Sequence, residues 1–266
     1  MSRSTVRSEH SRSSARRRAG RRPWRWSRWR SCRRRSARTG RLSQENLTAG
    51  VVFVSQSGVM TQTQQLPDPR PRLLATADAV TPLLETLTAD DLGRPTPCAG
   101  WTVADLLAHF VAVEHRVAHI MRGGRPFEVP SVVEVEDPAD PDVWRAAWAA
   151  GRVVLGEALA DPAVLEGLVH HPAATMPAPA ALTTYVSELG THGWDLAVAL
   201  GRLDELHVDP AAVEAALAVV TRAIPASDRP AGVPFDDAVD VPEDADPLLR
   251  LVAFFGRDPR WAGPAQ

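Results

Sequence analysis

From about residue 66 onward, apolar side chains recur at three- and four-residue spacing in segment after segment. That period confines the chain to helices that bury one face each. Leu73, Val80, Leu83, Leu84 and Leu87 mark a first helix over about 70–88. A Gly- and Pro-rich loop, 93–101, separates it from a second helix that starts after Thr102. Thr102 and Asp105 have capping-box spacing, Trp101 precedes them as a hydrophobic staple, and Gly123-Gly124 stops the helix beyond Met121. A third helix spans about 141–160, with Pro141 in its first turn. A fourth spans about 179–200 and is closed by Gly201. A fifth follows Asp209-Pro210 and runs to about Ile224, and a short last one covers 247–255 before Gly256. The stretches 125–140 and 225–245 are acidic, Pro-containing connections, and no β-hairpin signal stands out. The pattern predicts an all-α fold, an antiparallel four-helix bundle with additional C-terminal helices.

The N-terminal part is different in kind. Residues 1–42 carry sixteen Arg against one acidic residue, Glu9, whereas 43–266 carry fourteen Arg against thirty-one Asp and Glu, and the chain has no Lys. Trp24, Trp26 and Trp29 alternate with Arg and Ser without a periodic face, so there is no core to offset chain entropy. The chain is therefore divided into an Arg/Ser-rich segment, 1–65, and a helical domain, 66–266. The first segment is read as a disordered extension, as a basic arm for an anionic partner, or as sequence ahead of a true start near Met60, Val51 or Val52. The last of these is the plainest. An acidic body is a poor partner for nucleic acid, because phosphate contacts need clustered cations. No apolar run approaches the ~18 residues of a membrane span, and 49–60 is too short and polar for an export signal. Cys32 and Cys98 form neither a disulfide framework nor a CxxC pair. The expected location is the cytoplasm.

The chemistry is concentrated on two helices. Glu188 and His192 are four residues apart on the fourth helix, about 40° apart around its axis, so both point the same way. On the second helix, His109 falls at the edge of the buried stripe set by Leu106, Phe110, Val113 and Val117, while His115 and His119 fall on the far side. An inward imidazole facing an inward carboxylate–imidazole pair is a donor set for a divalent cation, and bundle cores build metal sites this way. Three protein ligands leave a fourth position open, as in catalytic zinc sites. The plainer alternative is a hydrogen-bonded core His beside an exposed helical ion pair, and spacing alone favours that alternative.

Resemblance shifts the balance. Pro97-Cys98-Ala99-Gly100-Trp101-Thr102 running into Asp105–His109, then Glu188-Leu189-Gly190-Thr191-His192-Gly193-Trp194-Asp195, then Phe254-Phe255-Gly256-Arg257-Asp258-Pro259 together resemble the DinB-like metalloproteins. The most similar branch is the actinobacterial one related to the N-terminal metal-binding domain of mycothiol-dependent maleylpyruvate isomerase. The resemblance runs from about residue 70 to the end. It implies a DinB-like four-helix bundle and a metal bound by His109, Glu188 and His192. It implies a divalent metal cofactor, with zinc expected, and a low-molecular-weight thiol such as mycothiol as a second cofactor. A homodimer is a further expectation of the family. The isomerase carries a C-terminal domain that here is shortened or different.

Asp195, three residues after His192, either orients that imidazole or is a helix-surface charge, and the surface charge is the commoner case. Trp101 and Trp194 flank the site segments as pocket walls or core. Cys98 lies before a helix N-terminus, where a thiolate is favoured, but no base partner for it is visible. His170-His171-Pro172 reads as a surface loop. No phosphate loop, no G-x-S-x-G elbow and no H-E-x-x-H occur. The functional expectation is a thiol-dependent S-transferase or isomerase that activates a small thiol toward an electrophile at the metal, with catalytic residues unassigned. The alternative is a non-catalytic, metal-dependent small-molecule binding or regulatory module.

Overall fold

A computed structural model describes residues 67–229 and 235–263. The readings made for 1–65 fall outside these residues. Among the described residues the chain is almost wholly helical: α1 (Arg70–Asp78), α2 (Thr81–Glu85), α3 (Ala89–Leu92), α4 (Val103–Met121), α5 (Pro141–Ala158), α6 (Ala178–Leu200), α7 (Pro210–Ala223) and α8 (Pro247–Phe254). α4 packs on α5 and α6, α6 also packs on α1 and α7, and α7 packs on α8. The result is a four-helix bundle of α1, α4, α5 and α6, extended by two C-terminal helices.

One local rule starts three of these helices. Asp140-Pro141, Asp209-Pro210 and Asp246-Pro247 each place an aspartate at the cap, whose carboxylate accepts a backbone N–H two residues on. The proline fills the first helical position, where no N–H is needed. α4 starts with the reciprocal box: Asp105 N–H donates to Thr102 Oγ1 at 3.3 Å and Thr102 N–H donates to Asp105 Oδ2 at 2.9 Å. α6 ends at Gly201, whose φ of 70° is the left-handed cap conformation.

The expected first helix is broken. α1 stops at Asp78 and α2 restarts at Thr81 with Pro82 inside its first turn, because proline cannot donate back and its ring clashes with the carbonyl four residues earlier. α3 is a separate turn capped by Thr88 and Asp91. The all-α class holds, with one short antiparallel hairpin that gave no signal in the sequence: Leu168–His170 (β1) pairs with Thr175–Pro177 (β2), with Val169 opposite Met176. Strands of three residues around a Pro-containing turn carry too little alternation to be read from sequence. The hairpin holds because Val169 is buried in the bundle core.

That core runs the length of α4 and α6, with Leu106, Phe110, Val113, Leu182, Leu189 and Trp194 all essentially inaccessible. A second, smaller cluster joins Val213, Leu217 and Val220 of α7 to Leu251, Phe254 and Phe255 of α8 and its end. Among the described residues, no helix is long and apolar enough to cross a membrane.

Candidate metal centre

α4 and α6 run antiparallel through the bundle, and their facing surfaces bring three predicted residues together. His109 Nε2 lies 3.1 Å from Glu188 Oε1, and His192 Nε2 lies 3.8 Å from the same oxygen. The two imidazole rings meet edge to face with centroids 5.0 Å apart. His109 is 1 % exposed, while the Glu188 side chain is 24 % exposed, so the cluster opens to solvent on the Glu188 side.

The proton inventory here is informative. His109 Nδ1 faces the Ser131 carbonyl at 2.8 Å, and its Nε2 faces the Glu188 carboxylate. His192 Nδ1 faces Asp195 Oδ2 at 2.9 Å, and its Nε2 also faces Glu188. Each of these oxygens is an acceptor only, Ser131 O as a backbone carbonyl and the other two as ionised carboxylates. A neutral imidazole has one proton for two such neighbours, so each ring leaves one lone pair aimed at an acceptor. Burial holds His109 below its ordinary value, and the Glu188 contact only partly opposes this, so a second proton there is disfavoured at neutral pH. Burial works against the charge on Glu188, while the Arg116 guanidinium supports it. The arrangement is thus short of one cation. Donors around a tetrahedral zinc sit about 3.4 Å from one another when each bond is ~2.1 Å. The 3.1 and 3.8 Å separations bracket that spacing. The residues fit a divalent ion held by two imidazole nitrogens and one carboxylate.

Behind His192 lies a second group of donors, Cys98, His192 and Asp195. Cys98 Sγ is 3.1 Å from Asp195 Oδ2 and 3.8 Å from His192 Nδ1. This place already has its cation. Arg257 donates from Nη2 to Asp195 Oδ2 at 3.0 Å and from Nε to Oδ1 at 3.3 Å, and Nη2 also reaches Cys98 Sγ at 3.1 Å. Burial raises the Asp195 carboxyl, but Arg257 and the hydrogen bond with His192 outweigh it, so the group is held below the usual carboxylate range. A metal would have to displace a guanidinium, so of these two groups the His109–Glu188–His192 cluster is the one left without a cation.

Asp195 is therefore not a surface charge. It is fully buried and fixes the His192 ring. Trp101 stacks on His192 with centroids 6.3 Å apart and an interplanar angle of 13°, and meets the His109 ring at 5.3 Å. Trp194 is wholly buried core. His119 lies on the outer face, paired with Glu128 at 2.8 Å, and His115 is half-buried. His171 is not a free surface group: it is half-buried, with its ring against Tyr185 at 5.1 Å. Two contributors escaped the sequence reading. Arg257 stands in a quoted motif, but no spacing links it to α6, 62 residues away. Ser131 acts through a backbone carbonyl in an irregular loop pinned to α4 by Val133 N–H donating to Ala108 O at 3.0 Å.

Residues 73–197 match the family described as the mycothiol maleylpyruvate isomerase N-terminal domain. Two uncharacterized proteins, from two strains of Mycobacterium tuberculosis, are each 34% identical over 183 residues, covering 69% of this chain and 94% of theirs. A crystal structure of the mycothiol-dependent maleylpyruvate isomerase aligns with a TM-score of 0.41 and 23% identity, over 52% of this chain and 63% of that one, less than two thirds of its length. The chain belongs to the family of the mycothiol maleylpyruvate isomerase N-terminal domain.

Proposed function

We propose that this chain binds one zinc ion through His109, Glu188 and His192 and uses it to activate a low-molecular-weight thiol, mycothiol being the member its family suggests, for S-transfer or isomerisation of an electrophile. The observation that carries the reading is the missing positive charge: two buried imidazoles and one carboxylate, each with a lone pair directed at the others. Bound there, zinc would supply Lewis acidity, which favours the deprotonated form of a thiol at neutral pH.

The chain's own residues do the rest. Ser131 O accepts the His109 Nδ1 proton and Asp195 accepts that of His192, so both rings present Nε2 to the same point. Arg257 keeps Asp195 ionised and immobile, which keeps the His192 proton on Nδ1. Trp101 covers one side of both rings and limits water there, while the exposed edge of Glu188 marks the side from which a small molecule enters.

The test is metal content. Purified protein should hold about one zinc per chain, and His192→Ala should lose most of it, since one of three protein ligands is gone. A small thiol titrated into the zinc-loaded protein should bind, and addition of an electrophile should give turnover. Thiol binding without turnover would favour the metal-dependent binding module over the enzyme. Wild-type protein that takes up no zinc ends both readings.

A further inference from the structure

One turn before Glu188 on α6, and two turns after His109 on α4, lies a pair of buried donors that the metal centre does not use. Arg116 is 8 % exposed. Its Nη2 donates to the Pro130 carbonyl at 3.1 Å, but its Nε–H is buried without a partner, and no carboxylate among the described residues pairs with it. Tyr185 is 3 % exposed and its hydroxyl is likewise buried without a partner. The two belong to one neighbourhood, because α4 and α6 meet antiparallel at His109 and Glu188, so that a step onward along α4 and a step back along α6 lead toward the same end of the bundle. The charge of Arg116 acts on Tyr185, on His171 and on Glu188, and that of Glu188 acts on Tyr185 and His171.

The surroundings are fixed and supply no acceptor. Ala173 N–H donates to His171 Nδ1 at 3.2 Å, so the His171 proton sits on Nε2, where it is given to Thr184 Oγ1 at 3.0 Å. The Thr184 hydroxyl in turn donates to the Ala181 carbonyl at 2.7 Å. Burial pushes His171 down to about 4, so it stays neutral. Its ring is a buttress for Tyr185, at 5.1 Å, and has no proton or lone pair to spare. Burial also raises the Tyr185 phenol, which therefore remains a neutral O–H donor.

A guanidinium taken out of water without an anion, beside a phenol without an acceptor, costs the fold free energy on both counts. A carboxylate answers both at once, since it accepts only and has two oxygens for two donors. Metal binding answers neither, because it adds a cation and no acceptor for either donor. We propose that Arg116 and Tyr185 form a carboxylate-binding subsite beside the His109–Glu188–His192 cluster, so that the small molecule this protein takes carries a carboxylate positioned along α6 from its reacting end. That last clause rests on the function proposed above; the subsite itself does not, since the two donors are buried and unpaired without any metal.

The shared chemistry is a carboxylate, which either the electrophile or the thiol could bring. Tyr185 is the only tyrosine of the chain, so fluorine NMR of fluorotyrosine-labelled protein gives one resonance, and it reports this subsite alone. Succinate tests the carboxylate without a thiol, N-acetylcysteine joins the two, and N-acetylcysteinamide keeps the thiol and removes the charge. The expected result is that at least one of the two carboxylates shifts the resonance in zinc-free as well as zinc-loaded protein, and that the amide does not. A response to succinate assigns the carboxylate to the electrophile, and a response to N-acetylcysteine alone assigns it to the thiol. Affinity read from the shift should fall about tenfold or more in Arg116→Gln, which removes a charge-assisted partner. Calorimetry should find about threefold weaker binding in Tyr185→Phe, which keeps the ring. Arg116→Lys guards against a folding defect: it keeps the charge and loses the fork, so it should bind with intermediate affinity. The proposal is overturned if neither carboxylate moves the resonance, if the amide moves it equally, or if Arg116→Gln binds as tightly as wild type. Because succinate is read without zinc, failure of the subsite and failure of the metal centre give different results.

Discussion

Arg257 holds Asp195 through two nitrogens, Nε at 3.3 Å and Nη2 at 3.0 Å, and Asp195 passes that hold to the His192 ring at 2.9 Å. The guanidinium comes from just beyond α8, so the C-terminal helices are fastened to the centre of the bundle through this pair. An imidazole whose far nitrogen is fixed by a carboxylate presents its other lone pair in one direction and is a better ligand. Asp195→Asn keeps the shape but can offer His192 an amide N–H in place of an acceptor. Zinc affinity measured by competition with a chromophoric chelator should fall about 10- to 100-fold in this variant. Arg257→Gln should weaken zinc less, since Asp195 survives. Equal affinity in Asp195→Asn and wild type would show that the buried carboxylate only supports the fold.

Glu188→Gln separates the electrostatics of the centre from its packing. Without metal, the wild-type protein faces a carboxylate toward two imidazole lone pairs, one at 3.1 Å. A carboxamide of the same size can turn its N–H₂ toward His109 Nε2 and relieve that contact, a change of about 1 kcal/mol. In chelator-treated protein the variant should therefore melt at or above the wild-type temperature. Added zinc should raise the melting temperature of wild type in proportion to ligand linkage and leave the variant nearly unmoved. A zinc-free variant markedly less stable than wild type would mean that Glu188 is held by protons on both histidines and not by the want of a cation.

Much of this was legible from residue types and spacing, and the failures have physical reasons. Helices α4 to α8 follow from caps and apolar periods that are local in sequence, so their limits fall within a residue or two of those expected. The first helix was misjudged because its apolar marks continue through Pro82, and the stripe concealed the break. Glu188 and His192 could be placed on one face because four residues of α-helix fix their angle. His109 was assigned inward because its neighbours Leu106 and Phe110 are apolar. Asp195 was misread because charge on a helix usually faces water, and its cation lies in a segment no local rule connects to it. Arg116 and Tyr185 carry no signal in the sequence, because burial without partners is a property of the packed bundle and not of either residue's spacing.

The cap of α4 ties stability to the site. Thr102 follows Trp101, and both Thr102 N–H and Thr102 Oγ1 are bonded to Asp105 Oδ2, each at 2.9 Å. Thr102→Ala removes the hydroxyl and should cost about 1 kcal/mol, seen in the urea midpoint. Because Trp101 stacks on His192 and meets His109, loosening its attachment should also raise zinc dissociation by a measurable factor. A variant that loses stability with unchanged zinc dissociation would show that the Trp101 contact is passive.

Glu114 sets the pH dependence of the fold. It is fully buried on α4 against α5, with Oε1 3.1 Å from Arg152 Nη1 and Oε2 without a partner. Arg152 divides its charge, since its Nη2 also lies 2.7 Å from Asp78 Oδ1. Burial is the larger influence, Arg152 only partly offsets it, and the carboxyl is pushed from 4.5 up to about 8. The folded chain thus keeps a proton that the unfolded chain releases near its ordinary value. Below that value both states are protonated and nothing is lost. As pH rises toward 8, the unfolded state gains alone, and the native state loses up to about 1.4 kcal/mol per pH unit from this one group. Glu114→Gln mimics the protonated form at every pH, and the other titrating groups are common to both proteins. Urea midpoints taken at pH 5.5 and 7.5 should therefore fall for wild type relative to the variant, with the variant the more stable at the higher pH. Parallel pH profiles for the two proteins would show that Arg152 keeps Glu114 ionised in the fold.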